Sequence, residues 1–485
     1  MLRLASSLLF KLANGLAVNI LRFIVLVIAA RMMTKDDFGT YSYVVNFAFL
    51  AVALANLGLP TATARNMSAA LFHEKDEARA KAILKLAAQW RLIATTAALG
   101  IFIGVIVFLQ LHQRKGSMTI WILASGILFF KSFDVWLEYT FAGLQEYRLL
   151  FLGVTLPREA IRLAMIGVLV WLGMSTRRLL AVDGSILAFS LLIATIILVK
   201  QFKHVATLRI DWRPLITFAL SIAPTSIIAL AYERVDVIIL GKYVPMSQVA
   251  EYNAAYQFTA LAILLVPIGT VVVLPTFMSM DRGHLNRFVN QIIGVSLALL
   301  LPVFFALQIF GEELLTVLYG HRYASSAIIL GIFAFLLLER VISPTLQNVL
   351  LAFNQPKTIT VTMTIGGVIN IILAIWLVQK LGVIGPAIAL VSGRFLVLTL
   401  LVLVLATNNF GFYYKKFTLI IISAGILFTG AWLIKPIVER AIFYIVALII
   451  YSILITRFVM AEETRILIAL IQKHRYNWRS LLTPS

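Results

Sequence analysis

The chain has 485 residues, 61% of them hydrophobic and only 13% charged, with a mean hydropathy of +0.98. Soluble domains carry about 25% charged residues, so this composition excludes a soluble globular protein and indicates a polytopic, all-α membrane protein. The formal net charge of +20 would suggest nucleic acid in a soluble chain, but here basic cytoplasmic loops account for it and no nucleic-acid partner is expected.

A bilayer core of about 30 Å needs roughly 20 apolar residues per helix. On that measure the sequence predicts fourteen spans, at residues 12–31, 41–63, 84–110, 118–139, 149–172, 179–199, 214–240, 250–276, 288–310, 324–351, 358–379, 383–406, 418–434 and 441–459. The apolar run of the first segment is long and has no clear small-residue cleavage pattern, so it reads as a retained span. With the N-terminus inside, cytoplasmic segments hold 21 Lys and Arg and outer loops hold 11, which predicts both termini in the cytoplasm. The tail after residue 460 sets Ile466, Leu467, Leu470 and Ile471 beside Lys473, Arg475, Trp478 and Arg479, the pattern of an interfacial helix on anionic lipid.

The chain resembles itself when displaced by 211 residues. RMMTKDDFGTYSYVVNF from Arg31 then overlies KYVPMSQVAEYNAAYQF from Lys242, with Tyr41 on Tyr252 and Gly58 on Gly269. A second echo at 210 sets Ala142 and Gln145 over Ala352 and Gln355. An offset containing six spans, an even number, predicts two six-helix halves of the same orientation, that is, parallel repeats. The expected organisation is 1–205, 206–408, two extra helices at 409–460, and the basic amphipathic tail at 461–485.

Charged residues inside spans carry the chemistry. An ionised group in hydrocarbon costs at least a few kcal/mol, so such groups either pair or serve function. The basic ones are Arg22, Lys85, Arg91, Lys131, Arg158, Arg162, Arg234, Arg340 and Arg394; the acidic ones singled out are Asp134, Glu138, Glu159, Glu233, Asp236 and Glu339. Lys85 and Arg91 sit near a cytoplasmic end and are expected to snorkel. Lys131, Asp134 and Glu138 share one stripe of span 4, and Arg158 and Arg162 share one of span 5, just after Pro157, which should kink it. In YERVDVIIL, at 232–240, Glu233 and Asp236 lie about 60° apart and Arg234 points elsewhere. The repeat sets Arg22 over Glu233.

Two readings of these charges stand side by side. They are internal structural pairs, or they line a net cationic cavity for an anionic head group, for which the planar Arg fork suits pyrophosphate. On the second reading Arg22, Lys131, Arg162, Arg234, Arg340 and Arg394 bind substrate, while Asp134, Glu138, Glu233 and Asp236 are candidates for ion coupling. Tyr41, Tyr252 and Tyr256 are expected as interface anchors.

DFGTYS at 37–42, LGLPTATAR at 57–65, RVDVIILGKYVP at 234–245, AEYNAAYQF at 250–258, LPTF at 274–277 and LGVIGPAIA at 381–389 together resemble the polysaccharide-transporter branch of the MOP flippase superfamily, which includes O-antigen flippases. The resemblance implies two six-helix lobes around a central cavity lined by helices 1, 2, 7 and 8, followed by two C-terminal helices. It also implies alternating access and a lipid-linked oligosaccharide as cargo. The expected partners are undecaprenyl-pyrophosphate-linked glycan, membrane lipids, a proton or sodium counter-ion, and a polymerase or chain-length regulator of the same pathway. The expected location is a bacterial inner membrane.

There is no Cys, the six His are scattered, and no P-loop, GxGxxG, HExxH or GxSxG motif occurs, so no cofactor, metal or covalent catalysis is expected. The competing functions are a different MOP transporter, either a lipid II flippase or a multidrug exporter, and a membrane glycosyltransferase or polymerase. A drug-cation exporter should have an acidic cavity, and a glycosyltransferase should have a sizeable soluble loop with carboxylates.

Overall fold

A computed structural model describes residues 2–113, 117–206, 208–261, 277 and 280–459; the side chains of some helical residues among these, Glu233 and Arg234 included, lie outside the description. The described residues form helices and connecting turns without a strand. They are α1 (Leu2–Met32), α2 (Lys35–Asn56), α3 (Leu59–Ser68), α4 (Glu77–Gln113), α5 (Met118–Gly143), α6 (Tyr147–Leu149), α7 (Leu156–Leu172), α8 (Thr176–Gln201), α9 (Arg213–Tyr243) and α10 (Met246–Gln257), then α11 (Arg282–Ile309), α12 (Gly311–Tyr319), α13 (Ala327–Ala352), α14 (Pro356–Leu381), α15 (Ile384–Thr407), α16 (Tyr414–Thr429) and α17 (Ile437–Leu454). Each of the fourteen expected spans meets helix. Span 8 is described only as far as residue 261, and the amphipathic tail lies outside the described residues. Ten described helices are long and apolar enough to cross a membrane. Their outer faces carry residues such as Leu192 (58% exposed) and Leu433 (88%), as expected where the solvent is lipid.

The packing divides into two compact units. One comprises the described residues of Met1–Gln257, Leu315–Ile329 and Met363–Gly393; the other comprises those of Phe258–Leu314, Leu330–Thr362 and Arg394–Ser485.

Helix ends carry the repeat. α1 ends at Met32 and α9 at Tyr243, while α2 begins at Lys35 and α10 at Met246, both pairs 211 residues apart. The second echo needs a correction of one residue. After α5, Gln145 takes φ +57°, its N–H bonds to Ala142 O and that of Glu146 to Phe141 O; after α13, Asn354 takes φ +58°, with Asn354 N to Leu351 O and Gln355 N to Leu350 O. These are matching Schellman turns. They align at 209, so the letter match of the two glutamines at 210 misplaces the backbone.

Span 2 is broken where the sequence reads LGLP. Leu57 (φ +40°) and Gly58 (φ +70°) turn the chain between α2 and α3, and Pro60 starts the new helix. Gly58 is doubly constrained: a Cβ there would stand 2.2 Å from the Ala219 carbonyl of α9. The break frees backbone carbonyls at the end of α2 in an apolar setting, and Arg91 of α4 takes one of them, Ala55 O. Its guanidinium donates to Ala55 O and Asn56 Oδ1, each at 2.8 Å, and to Ser132 O, and the side chain is fully buried. Arg91 therefore does not snorkel, because the negative end of a truncated helix attracts it inward.

Span 5 departs from a simple proline kink. Leu150–Thr155 is wound as a π-helix, with Leu156 N donating to Phe151 O, and Pro157 follows inside the first turn of α7.

The second unit is tied by polar contacts around its last helices. Asn290 of α11 donates to Gly411 O and accepts from Tyr413 N, each at 2.9 Å, and Arg440 pairs with Glu313 at 2.8 Å.

Candidate functional site

In the first unit, six charged side chains from three helices form one alternating chain. Lys131 Nζ of α5 lies 2.6 Å from Asp134 Oδ2, and Arg158 Nη1 of α7 lies 3.0 Å from Asp134 Oδ1. Arg158 Nε meets Glu159 Oε1 at 2.9 Å, and Glu159 Oε2 is 3.8 Å from Arg162. Arg162 Nη2 donates to Asp183 Oδ1 of α8 at 2.8 Å, and Tyr41 of α2 closes the chain by donating to Asp183 Oδ2 at 2.6 Å. Three cations face three carboxylates, so the chain is neutral as a unit. Such pairing is what makes ionised groups tolerable at this depth. It is nevertheless incompletely satisfied: Arg162 Nε and Glu159 Oε2 are buried without hydrogen-bond partners.

Two adjoining cavities border this chain. The first takes Arg22 from α1, Tyr41, Ser42 and Asn46 from α2, Lys131 from α5, Arg158, Glu159 and Arg162 from α7, Asp183 from α8, and Asn253 and Gln257 from α10. Four cations and two carboxylates therefore face it. The Arg22 guanidinium lies over the Phe49 ring at 5.8 Å, and Phe49 is also on the wall. The second cavity is lined by Asn14 and Asn19 of α1, Asp134 and Glu138 of α5, Thr155 of the π-turn, Ser190 of α8, and again Lys131 and Arg158.

The expected site residues thus fall into groups. Arg22, Lys131 and Arg162 share the first cavity. Asp134 and Glu138 share the second. Asp236 lines neither: it is buried in α9, where Tyr252 donates at 3.3 Å and Asn370 at 3.2 Å. Arg394 and Arg340 belong to the second unit, where Arg394 stands 4.0 Å from Glu339. The side chains of Glu233 and Arg234, and hence an Arg22–Glu233 attraction, lie outside the described residues.

Three differences from the sequence reading matter. The described walls of the first cavity come from spans 1, 2, 4, 5, 6 and 8, and the charges come mostly from spans 4, 5 and 6. Tyr41 and Tyr252 are buried hydrogen-bond donors to Asp183 and Asp236, not exposed anchors, because each finds a carboxylate on a neighbouring helix. Asp183 is a further site residue that the charge pattern does not single out; its signal in the sequence is the lone carboxylate of AVDGSILAF, within the span predicted at 179–199 and about two turns into α8.

The profile of the polysaccharide biosynthesis protein family matches residues 4–281, more than half of the chain. The chain belongs to that family. Among curated proteins it is similar to the probable low-salt glycan biosynthesis flippase Agl15 of Haloferax volcanii, 25% identical over 162 residues, covering 33% of this chain and 34% of Agl15. It is also similar to the probable flippase AglR of the same organism, 30% identical over 167 residues, covering 33% of this chain and 35% of AglR. These matches span about a third of the relatives' length. Among solved structures, the lipid II flippase MurJ in an inward closed conformation aligns over 93% of this chain and 99% of its own, with TM-score 0.72 and 18% identity. An inward-facing multidrug resistance MATE transporter of the MOP superfamily aligns over 81% and 96%, with TM-score 0.65 and 13% identity. At these identities the likeness shows the fold, which is that of MOP-type transporters.

Proposed function

We propose that this protein is a flippase that carries a lipid-linked glycan across a membrane by alternating access, with the anionic head group held in the first cavity. The observation that carries this reading is the convergence of Arg22, Lys131, Arg158 and Arg162 on one cavity against two carboxylates, with the Arg162 Nε donor buried and unpartnered. Phosphate oxygens accept from guanidinium groups bidentately and tolerate a site whose cations are already braced by carboxylates. Asn46, Asn253 and Gln257, which line the same cavity, supply amides suited to sugar hydroxyls.

In its specific form, the cargo is an undecaprenyl-pyrophosphate-linked repeat unit of an O-antigen or exopolysaccharide. It moves from the cytoplasmic to the periplasmic leaflet of a bacterial inner membrane, and both termini are cytoplasmic. The family and the name of Agl15 support a glycan cargo; the cationic wall supports an acidic head group and disfavours a drug-cation exporter. Arg394 and Arg340 are assigned to the substrate path of the second unit. A polymerase or chain-length regulator is the partner class that would take the product.

The test is reconstitution into proteoliposomes with candidate lipid-linked glycans under imposed proton or sodium gradients. Protein-dependent exposure of the glycan on the opposite leaflet is expected for a pyrophosphate-linked oligosaccharide. Transport of organic cations in place of glycans would refute the reading.

A further inference from the structure

We infer that the segment around the end of α12 is a latch, held by an exchange of arginines between two helix ends, and that it closes the end of the first unit where α1 and α9 terminate. Leu315–Ile329 packs with the first unit, although the chain on both sides of it, through Leu314 and from Leu330, belongs to the second. α12 stops at Tyr319, Gly320 takes φ +95°, and His321–Ser326 winds as a 3₁₀ turn into α13. The last carbonyls of a helix have no donor within it and carry its negative end. Arg322 Nη2 donates to three carbonyls at and just past the end of α1: Ala30 O, Arg31 O at 2.9 Å and Met33 O at 2.7 Å. In return Arg31 Nη2 donates to Val317 O of α12 at 2.8 Å. Two negative helix ends, which would repel each other, are thus joined by one arginine from each side. Beside them Glu251 of α10 takes Lys35 of α2 at 2.5 Å and the Ser325 hydroxyl at 3.1 Å. Lys35 and Arg322 both lie over the Tyr323 ring, 5.3 and 5.5 Å from its centroid.

Two features make this a latch and not a permanent brace. The residues that hold it, Arg31, Arg322 and Ser325, are exposed, so water replaces each of their bonds as it breaks. The groups beneath are under-satisfied: Tyr323 Oη and Ser326 Oγ, on fully buried residues, find no hydrogen-bond partner among the described residues. Lifting the segment returns both hydroxyls to water, which offsets part of what the arginines contribute. The closed and open arrangements therefore lie close in free energy, the condition for a two-state element. Under the alternating access proposed above, this end opens once in each cycle. That gating role rests on the flippase reading; the latch itself does not.

The chain has no Cys, so a single introduced thiol reports alone. The full-length protein carrying Ala30→Cys, a fully buried position under the latch, is purified in detergent, and its initial rate of modification by a maleimide is measured. Ala194→Cys, in the buried core of the same unit, reports general loosening. Arg322→Gln should raise the rate at Ala30→Cys at least about tenfold, the effect of losing one hydrogen bond to a charged group, and leave that at Ala194→Cys unchanged. Lys35→Glu and Glu251→Lys should each raise it, and the two together should bring it back to within about threefold of the parent. Tyr323→Phe should lower it, because the closed latch then buries one orphan hydroxyl fewer. A rate at Ala30→Cys indifferent to Arg322→Gln would overturn the latch. Equal increases at Ala30→Cys and Ala194→Cys, the result of a merely structural arginine, would overturn it too, as would a faster rate in Tyr323→Phe. A double charge reversal no slower than either single one would remove Lys35 and Glu251 from the latch. A protein whose rates respond as expected yet flips no glycan would refute the proposed cargo and leave the latch standing.

Discussion

The amide of Asn253 donates to the hydroxyl of Ser42 at 2.8 Å, and the two residues stand 211 positions apart, one repeat length. A second pair repeats the relationship: Ser247 N donates to Asp36 Oδ1 at 3.0 Å, again 211 apart. In a two-fold arrangement only residues near the axis touch their own counterparts. The axis relating α2 to α10 therefore passes between these helices. Gly39 permits their approach, since a Cβ there would collide with the Met246 carbonyl, and Lys35 pairs with Glu251 at 2.5 Å beside it.

This contact should be measurable as a coupling. Ser42→Ala and Asn253→Ala are each expected to cost about 0.6–2 kcal/mol of stability in detergent, and the double variant no more than the larger single. Strict additivity would show that the two side chains do not interact.

Arg91 braces the broken second span. Arg91→Leu leaves Ala55 O and Asn56 Oδ1 without this donor, at about 1–3 kcal/mol each, so a clear fall in unfolding midpoint and in folded yield is expected. Arg91→Lys keeps the charge but not the fork and should recover only part of the loss. A Leu variant as stable as the parent would remove Arg91 from this role.

Asp183 and Tyr41 should separate by magnitude. Asp183→Ala strips the buried Arg162 of its nearer anion, leaving Glu159 at 3.8 Å, and is expected to cost about 3–5 kcal/mol. Tyr41→Phe removes one hydrogen bond to the same carboxylate and should cost about 1.5–3 kcal/mol. Equal costs would indicate that Glu159 suffices as the countercharge of Arg162.

Asp281, outside the membrane spans, caps α11: its carboxylate accepts from Gly283 N and His284 N, and from the His284 ring. The His284 ring hydrogen bond, with the backbone bonds, holds its carboxyl below the ordinary value of 3.8. A carboxyl lowered on folding stabilises the folded form above its unfolded value, and that contribution is lost as pH falls through the lower folded value. The parent should therefore be more stable than Asp281→Ala above about pH 4, and the two unfolding curves should converge in stronger acid. A difference that persists unchanged below that range would contradict the assignment.

Much of this architecture was legible in the sequence for identifiable reasons. Apolar runs of bilayer length locate helices, and the i, i+3 spacing of Lys131 and Asp134 makes their contact nearly local. Arg158 and Arg162 were visible as a stripe for the same reason. What spacing does not carry is which helices meet. Asp183 reaches Tyr41 across 142 residues, and Arg91 reaches Ala55 across 36. The break after Asn56 created acceptors that no pattern of charges announces. The 210 echo misled because two glutamines matched while the left-handed turn position is held by Gln145 in one half and Asn354 in the other.

The central claim is that the cations of the first cavity hold an anionic head group, and Arg22 tests it most directly because it enters that cavity from α1, outside the six-residue ion chain. The measurement is the initial rate of lipid-linked glycan flipping in proteoliposomes at matched amounts of folded protein, for the parent, Arg22→Lys and Arg22→Gln. The account predicts a loss of at least about tenfold for Gln, the equivalent of one 1.4 kcal/mol contact, and an intermediate rate for Lys, which keeps charge but loses the bidentate fork. Parental rates in both variants would contradict it.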